Sequence, residues 1–164
     1  MEIKQINVQR LSVTSSKPFR EVIGVFDVVL GHTDMNAFRA NVAAAETYSD
    51  LEKVVHAAIG PTELIEFIRF DLGEILRKRN GAEAPQSLRI VLGNPLIMSL
   101  MVEQVPDAGS YAPVTILIDE RNDGVHLSYD RMASFLAPYG NPEALKVAQD
   151  LDSKVEALIS AAAG

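Results

Sequence analysis

The chain of 164 residues has no cysteine, no long apolar run and no excess of basic side chains. Without cysteine, a disulfide framework, a thiolate nucleophile and a thiolate metal site are excluded. No stretch of about 18 apolar residues is present, so no membrane span is predicted. The formal net charge of −7 disfavours binding to nucleic acid, which requires clustered Lys and Arg side chains against the phosphates.

The remaining composition is that of a folded domain. Hydrophobic residues make up 48% of the chain and charged residues 23%, as is typical of soluble globular proteins. The length fits one domain spanning residues 1–164 and is sufficient to bury a core. The first five residues lack the apolar stretch of a signal peptide, so a cytoplasmic location is the simplest expectation.

Hydrophobic spacing predicts one strand followed by an unusually helical first third. Alternating residues over 4–14 indicate a strand, with a bulge where the alternation shifts phase. Apolar residues at intervals of three and four predict a helix over 19–30. Two further helices are predicted over 35–47 and 49–59.

The rest of the chain alternates short strands with short helices. Strands are predicted over residues 64–72, 88–92, 114–119 and 125–129, the last two joined by the turn Asn122-Asp123-Gly124. Residues 64–72 also fit helical spacing, but their apolar run favours a strand buried on both faces.

Four helices accompany these strands. Two short ones are predicted over 74–78 and 96–102, and Asp130 is expected to cap a third that ends at Leu136. The last helix begins at Asn141-Pro142 and is expected to lie across the sheet. Its predicted apolar face consists of Leu145, Ala148, Leu151, Val155, Leu158 and Ala162.

Several sequence segments resemble the domain-of-unknown-function family 302. They are Arg89–Pro95, Pro106–Pro113, Val114–Glu120, Asp123-Gly124 and Ser128-Tyr129-Asp130. The resemblance implies a fold similar to TATA-box-binding-like domains, although a shared fold implies no DNA binding. The family has no established activity. Many members have Asp-His-Gly where this chain has Asp71-Leu72-Gly73, so any activity that depends on that histidine is not expected here.

Periodicity and resemblance together predict an α+β fold. We expect a curved antiparallel sheet of about four to five strands with helices packed on one side. The resemblance implies the order β-α-β4-α, and relative to the shortest family members the helical segment at about 35–60 is expected to be an insertion.

The turn formed by Gly93, Asn94 and Pro95 is the strongest candidate site. Glycine permits close approach of a ligand to the backbone, and a helix N-terminus presents N–H groups and partial positive charge. A small polar or anionic group is therefore one predicted occupant. The alternative is that Asn94 only caps the helix and Pro95 only starts it, as is common for these residues.

A second group of candidates lies outside this turn. The loop that contains Asp107, Ser110 and Tyr111 supplies a carboxylate and two hydroxyls, although it also fits a turn in which Asp107 bonds its own backbone. Asp71 is a carboxylate at a strand end, and it forms an acid pair only if the fold brings Asp107 or Asp130 to it.

These residues leave three functional hypotheses open. The first is a non-catalytic module that binds a small ligand or a protein partner as a homo-oligomer, most simply a dimer. The second is an enzyme that uses Asp71, Asp107 and Tyr111 as acid–base groups around Asn94. The third is a structural subunit that docks through its sheet edge or its last helix. Three scattered histidines make no metal motif, and no cofactor, membrane partner or nucleic-acid partner is predicted.

Overall fold

The computed structural model describes residue 1 and residues 3–164. The strands are β1 (Arg10–Ser15), β2 (Ile65–Asp71), β3 (Ser87–Gly93), β4 (Val114–Arg121) and β5 (Gly124–Asp130). The α-helices are α1 (Phe19–Val29), α2 (Met35–Ala44), α3 (Tyr48–His56), α4 (Leu72–Asn80), α5 (Pro95–Gln104), α6 (Met132–Leu136) and α7 (Pro142–Ala163). Two short 3₁₀ helices span Pro106–Ser110 and Ala137–Tyr139.

The five strands form one open sheet in the order β1-β5-β4-β3-β2. Every neighbouring pair is antiparallel, which confirms the predicted α+β class and the antiparallel sheet. β4 and β5 form the predicted hairpin, in which Gly124 adopts a φ of 136° that favours glycine. The free edges of the sheet are therefore β1 and β2.

One face of the sheet carries the core. Along β4 the side chains of Val114, Ile116 and Ile118 are buried, while the alternate residues point to the opposite, open face. Helices α1 and α7 cover the buried face, as predicted for the last helix. The buried residues of α7 are Ala144, Ala148, Leu151, Asp152, Val155, Leu158, Ile159 and Ala162.

The helical pair α2 and α3 packs as a second, smaller cluster. Phe38 and Val55 are buried against Ile65 at the start of β2. Phe67 and Leu96 pack against the same cluster, so α2 is held beside the end of the sheet where β3 passes into α5. This placement forms one wall of the cavity described below.

The first strand and the bulge differ from the sequence prediction. β1 covers only Arg10–Ser15, because these are the residues that pair with β5. The register of β1 is continuous, and the bulge instead lies in β2 between Glu66 and Ile68. The phase shift in the N-terminal sequence therefore reflects unpaired chain before the strand.

The cap of α6 also differs from the prediction. Asp130 does not cap this helix, because its carboxylate forms a two-point ion pair with Arg10 on the adjacent strand, at 2.6 and 2.7 Å. Leu145 is only half-buried on α7, and Ala144 takes its place in the core. Both differences follow from tertiary neighbours that local sequence does not specify.

Candidate functional site

A cavity of about 610 Å³ lies where β3 passes into α5 and β4 begins. Its apolar lining consists of Met35, Phe38, Phe67, Ile68, Val91, Pro95, Met98, Ala112, Pro113, Val114 and Leu151. Gly93, Asn94 and Arg39 complete the wall. The volume falls within the range of small-molecule sites, which are mostly apolar with few polar groups.

Asn94 lies in this wall with its side chain already occupied. Its Oδ1 accepts the N–H of Leu96 at 2.9 Å, and its Nδ2 donates to the carbonyl of Glu63 at 2.9 Å. Asn94 is 9% exposed. Pro95 has no N–H to offer, so the start of α5 has few donors left for an anion. The structure therefore matches the capping interpretation of Asn94.

Gly93 leaves open space in the wall. A Cβ atom added there would lie 3.4 Å from Phe67 Cε2 and 3.5 Å from Pro113 Cβ. These are ordinary van der Waals distances, so a methyl group fits without displacing backbone. This methyl group would fill part of the cavity volume.

Asp71 lies at the opposite end of the β2–β3 pair. Asp71 pairs with Leu88, whereas Gly93 pairs with Ile65. Leu88 and Gly93 are separated along β3 by about 16 Å, at the usual rise of a strand. The structure therefore does not bring Asp71 to Asn94.

Asp71 instead caps α4. Its Oδ1 accepts the N–H of Glu74 at 2.7 Å, and its Oδ2 accepts a bond from Arg77 Nη2 at 2.9 Å. Partial desolvation raises the pKa of Asp71, but the bonds from Glu74 and Arg77 outweigh it and hold the pKa below its ordinary value. Such a carboxylate is stabilised in its ionised form and is poorly suited to act as a general acid.

The loop candidates converge on Tyr139 instead of Asn94. The hydroxyl of Tyr111 bonds that of Tyr139 at 2.8 Å, and the ring of Tyr111 stacks on Phe135 at 4.7 Å between centroids. The bond from Tyr111, together with desolvation and Asp107, raises the pKa of Tyr139. Ser110 is exposed at the end of the 3₁₀ helix. Asp107 and Tyr111 thus both interact with Tyr139, whereas Asp71 caps α4.

A buried polar network escaped the sequence analysis. Asp152 of α7 is 1% exposed, and its carboxylate accepts the N–H groups of Met132 and Ala133 at 2.7 and 3.0 Å. It also accepts the hydroxyl of Tyr129 at 2.6 Å, and Arg131 Nε lies 4.0 Å away. Asp152 is therefore the residue that caps α6.

The network around Asp152 keeps the phenol of Tyr129 in its neutral form. Burial, followed by the adjacent carboxylate of Asp152, raises the pKa of Tyr129 well above its ordinary value. Tyr129 therefore remains a hydrogen-bond donor over the physiological range. The bonds of Asp152 to Tyr129 and to the start of α6 tie α7 to β5 and α6, which is a structural role.

Within residue 1 and residues 3–164, no helix combines the length and apolar character required to cross a bilayer. The same residues contain no group of three or more His, Asp or Glu side chains arranged to hold a metal ion.

Comparison with known proteins identifies the family but no activity. One solved structure, an uncharacterised conserved protein from Bacillus stearothermophilus described as DUF302, superposes with a TM-score of 0.62. The alignment covers 94% of this chain and 98% of that one at 11% identity, which shows a shared fold. No curated protein matches the chain. The family model for "Domain of unknown function DUF302" matches residues 38–162, including most of the segment predicted as an insertion. The chain belongs to this family, DUF302.

Proposed function

We propose that this protein binds a small, mostly apolar ligand in the cavity between α2, α5 and the end of the sheet, without catalysing its conversion. The observation that supports the proposal is the cavity of about 610 Å³, whose wall is almost entirely apolar. A volume of that size would expose a large apolar area to water, which a ligand would cover favourably. The cytoplasmic location of the protein stays a prediction.

The acid–base alternative lacks the geometry it requires. Asp71 is about 16 Å along the strands from the Asn94 end, and a general acid or base must reach its substrate within hydrogen-bond distance. Asp71 is also held in its ionised form by Glu74 and Arg77. We therefore favour binding over catalysis.

Binding of a neutral fluorescent probe tests this proposal. N-phenyl-1-naphthylamine, an uncharged apolar dye, is expected to bind with increased fluorescence. In Gly93→Ala, the added methyl group occupies cavity volume beside Phe67 and Pro113, so affinity should fall about three- to tenfold, or about 0.7 to 1.4 kcal/mol. Fluorescence titration of both proteins measures the difference.

Gly109→Ala is the matched control. A Cβ atom at Gly109 would lie 3.8 Å from Val102 Cγ2, so the same substitution is tolerated at a glycine outside the cavity. This variant should bind the dye as the unchanged protein does. Absence of dye binding, or an equal loss of affinity in both variants, would refute the cavity as the binding site.

Self-association through β2 is a second candidate function. The apolar face of α7, on which the docking hypothesis relied, is covered, because Leu151, Val155 and Leu158 are all buried. The edge strand β2, by contrast, exposes 47% of Ile68 and 42% of Phe70. Exposed apolar side chains on an edge strand favour pairing with a second copy.

Light scattering coupled to size exclusion tests this candidate. We expect a mass of twice 17.9 kDa for the unchanged chain and a monomer mass for Phe70→Glu, because the new carboxylate would face its own copy across the contact. Ile75→Glu, which alters an exposed residue of α4, serves as the control for added charge. A monomer mass for the unchanged chain would rule this candidate out.

A further inference from the structure

A second hollow lies on the open face of the sheet, beside the apolar cavity. It has a volume of about 260 Å³ and is lined by Arg10, Leu72, Arg89, Thr115, Leu117, Ser128 and Asp130. Most of these residues are alternate positions of β3, β4 and β5, so their side chains share the face that the core helices leave uncovered. The hollow is smaller than the apolar cavity, and five of its seven lining residues are polar or charged.

Strand register shows that the two hollows adjoin. Val91 lines the apolar cavity, and its cross-strand partner Thr115 lines the smaller hollow. Arg89 lies two residues before Val91 on the same face of β3, at a spacing of about 7 Å. An extended small molecule that occupies the apolar cavity can therefore reach Arg89 without leaving the sheet surface.

The smaller hollow has an excess of positive charge. Arg10 is matched by Asp130 through two hydrogen bonds. Arg89 has no ion-pair partner among the described residues, although the chain as a whole carries a net charge of −7. A guanidinium that no carboxylate neutralises, set in a concave surface, attracts an anionic group.

Two hydroxyl groups lie beside this guanidinium. Thr115 and Ser128 line the hollow, and within residues 3–164 neither side chain is engaged in a hydrogen bond. The register Arg89–Leu117–Ser128 places Arg89 and Ser128 on one row across the sheet, with Leu117 between them. Hydroxyl donors next to a cation are the groups that bind sulfonate, phosphate or carboxylate oxygens.

We propose that the ligand of this protein is an amphipathic anion, whose apolar part fills the cavity and whose acidic group contacts Arg89, Thr115 and Ser128. This inference rests on the proposed function, since it extends the same binding site onto the open face of the sheet. It assigns a binding role to Arg89 that neither the family resemblance nor the start of α5 suggests.

A matched pair of dyes distinguishes apolar binding in the cavity from the contact of an anionic group with Arg89. 8-Anilinonaphthalene-1-sulfonate has the ring system of N-phenyl-1-naphthylamine with one added sulfonate. The unchanged protein is expected to bind the sulfonate dye about fivefold more tightly than the neutral dye at low ionic strength. Because an exposed charge is screened by salt, the preference should shrink toward onefold at about 1 M NaCl.

Substitution of Arg89 identifies the cation responsible. In Arg89→Gln the affinity for the sulfonate dye should fall about fivefold, while that for the neutral dye stays unchanged. Arg79→Gln, at an exposed position near the end of α4, should leave both affinities unchanged. Circular dichroism of each variant confirms that its fold is retained.

Each alternative outcome has a distinct meaning. If the neutral dye does not bind at all, the cavity proposal itself fails. If both dyes bind equally well, or if Arg39→Gln and not Arg89→Gln abolishes the preference, the cavity remains the site but the contact with Arg89 is refuted. A fivefold preference lost only in Arg89→Gln supports the inference.

Discussion

Replacement of Asp152 by Ala is expected to lower the free energy of unfolding by about 3–5 kcal/mol. The substitution removes the acceptor for the N–H groups of Met132 and Ala133 and for the hydroxyl of Tyr129. These donors lie in a buried or half-buried environment, where water cannot easily replace the carboxylate. Urea denaturation followed by circular dichroism measures the loss.

Asp150→Ala provides the matched control for this prediction. Asp150 lies on the same helix but is exposed, so its loss should change stability by less than about 0.5 kcal/mol. The comparison separates the cap of α6 from general effects of charge on α7. A cost below about 1 kcal/mol for Asp152→Ala would show that α6 does not depend on the carboxylate.

Replacement of Gly31 by Ala is expected to destabilise the fold by about 3 kcal/mol or more. At this point the chain after α1 crosses the chain after α3, backbone against backbone. A Cβ atom on Gly31 would overlap the carbonyl oxygen of Ala58 and lie 2.7 Å from the nitrogen of Gly60. These atoms belong to the main chain and cannot move aside as a flexible side chain would.

The same crossing carries backbone hydrogen bonds that a displacement would strain. Gly31 N–H donates to Leu64 at 2.8 Å, and Glu66 N–H donates to Gly31 at 2.9 Å. A loss of about 3 kcal/mol corresponds to a fall in Tm of about 6–12 °C for a chain of this size. Differential scanning calorimetry measures it.

Gly24→Ala is the control for the loss of glycine. No heavy atom lies within 4 Å of the Cβ position at Gly24, which is inside α1. Because alanine is the better helix former, this variant should be more stable by about 0.5–1 kcal/mol. If Gly31→Ala behaved in the same way, the tight crossing would not exist in solution.

The sequence predicted best those features that depend on near neighbours. Asn94 and Asn141 each precede a proline, and each caps its helix through Oδ1, at 2.9 Å from the N–H of Leu96 and of Ala144 respectively. The hairpin turn before Val125 was also confirmed. In these cases the deciding interactions lie within a few residues of the signal. The strand predicted at 64–72 was confirmed as β2, but its predicted burial on both faces was wrong, because β2 lies at the sheet edge and exposes Ile68 and Phe70.

The predictions that failed depend on residues far apart in the chain. Asp130 has the sequence context of a helix cap, but Arg10, 120 residues away, binds its carboxylate. Asp152 reaches α6 from a helix that begins ten residues earlier. Helical spacing places it on the apolar face, four residues after Ala148 and three before Val155, but spacing does not identify the distant donors that it binds. In both cases a partner distant in the chain determined what the carboxylate binds: Arg10 for Asp130, and the amides of α6 for Asp152.

The residues of the candidate site could be predicted only in part from the sequence. Gly93 and Asn94, which the turn suggested, lie in the wall of the apolar cavity of about 610 Å³. The other wall residues come from α2, β2, β3, α5, α7 and the start of β4, and no sequence pattern brings all of these elements together. Asp71 was included because it ends a strand, but an antiparallel neighbour places the end of β2 opposite the start of β3.

The buried carboxylate of Asp152 also couples the local opening of α6 to that of α7. The amide protons of Met132 and Ala133 are shielded by a group that belongs to α7. Their exchange with deuterium therefore requires α7 to detach, although both amides lie at the first turn of a five-residue helix. The first turn of so short a helix would ordinarily exchange quickly. Slow exchange of the Met132 and Ala133 amides would therefore report that α7 is docked.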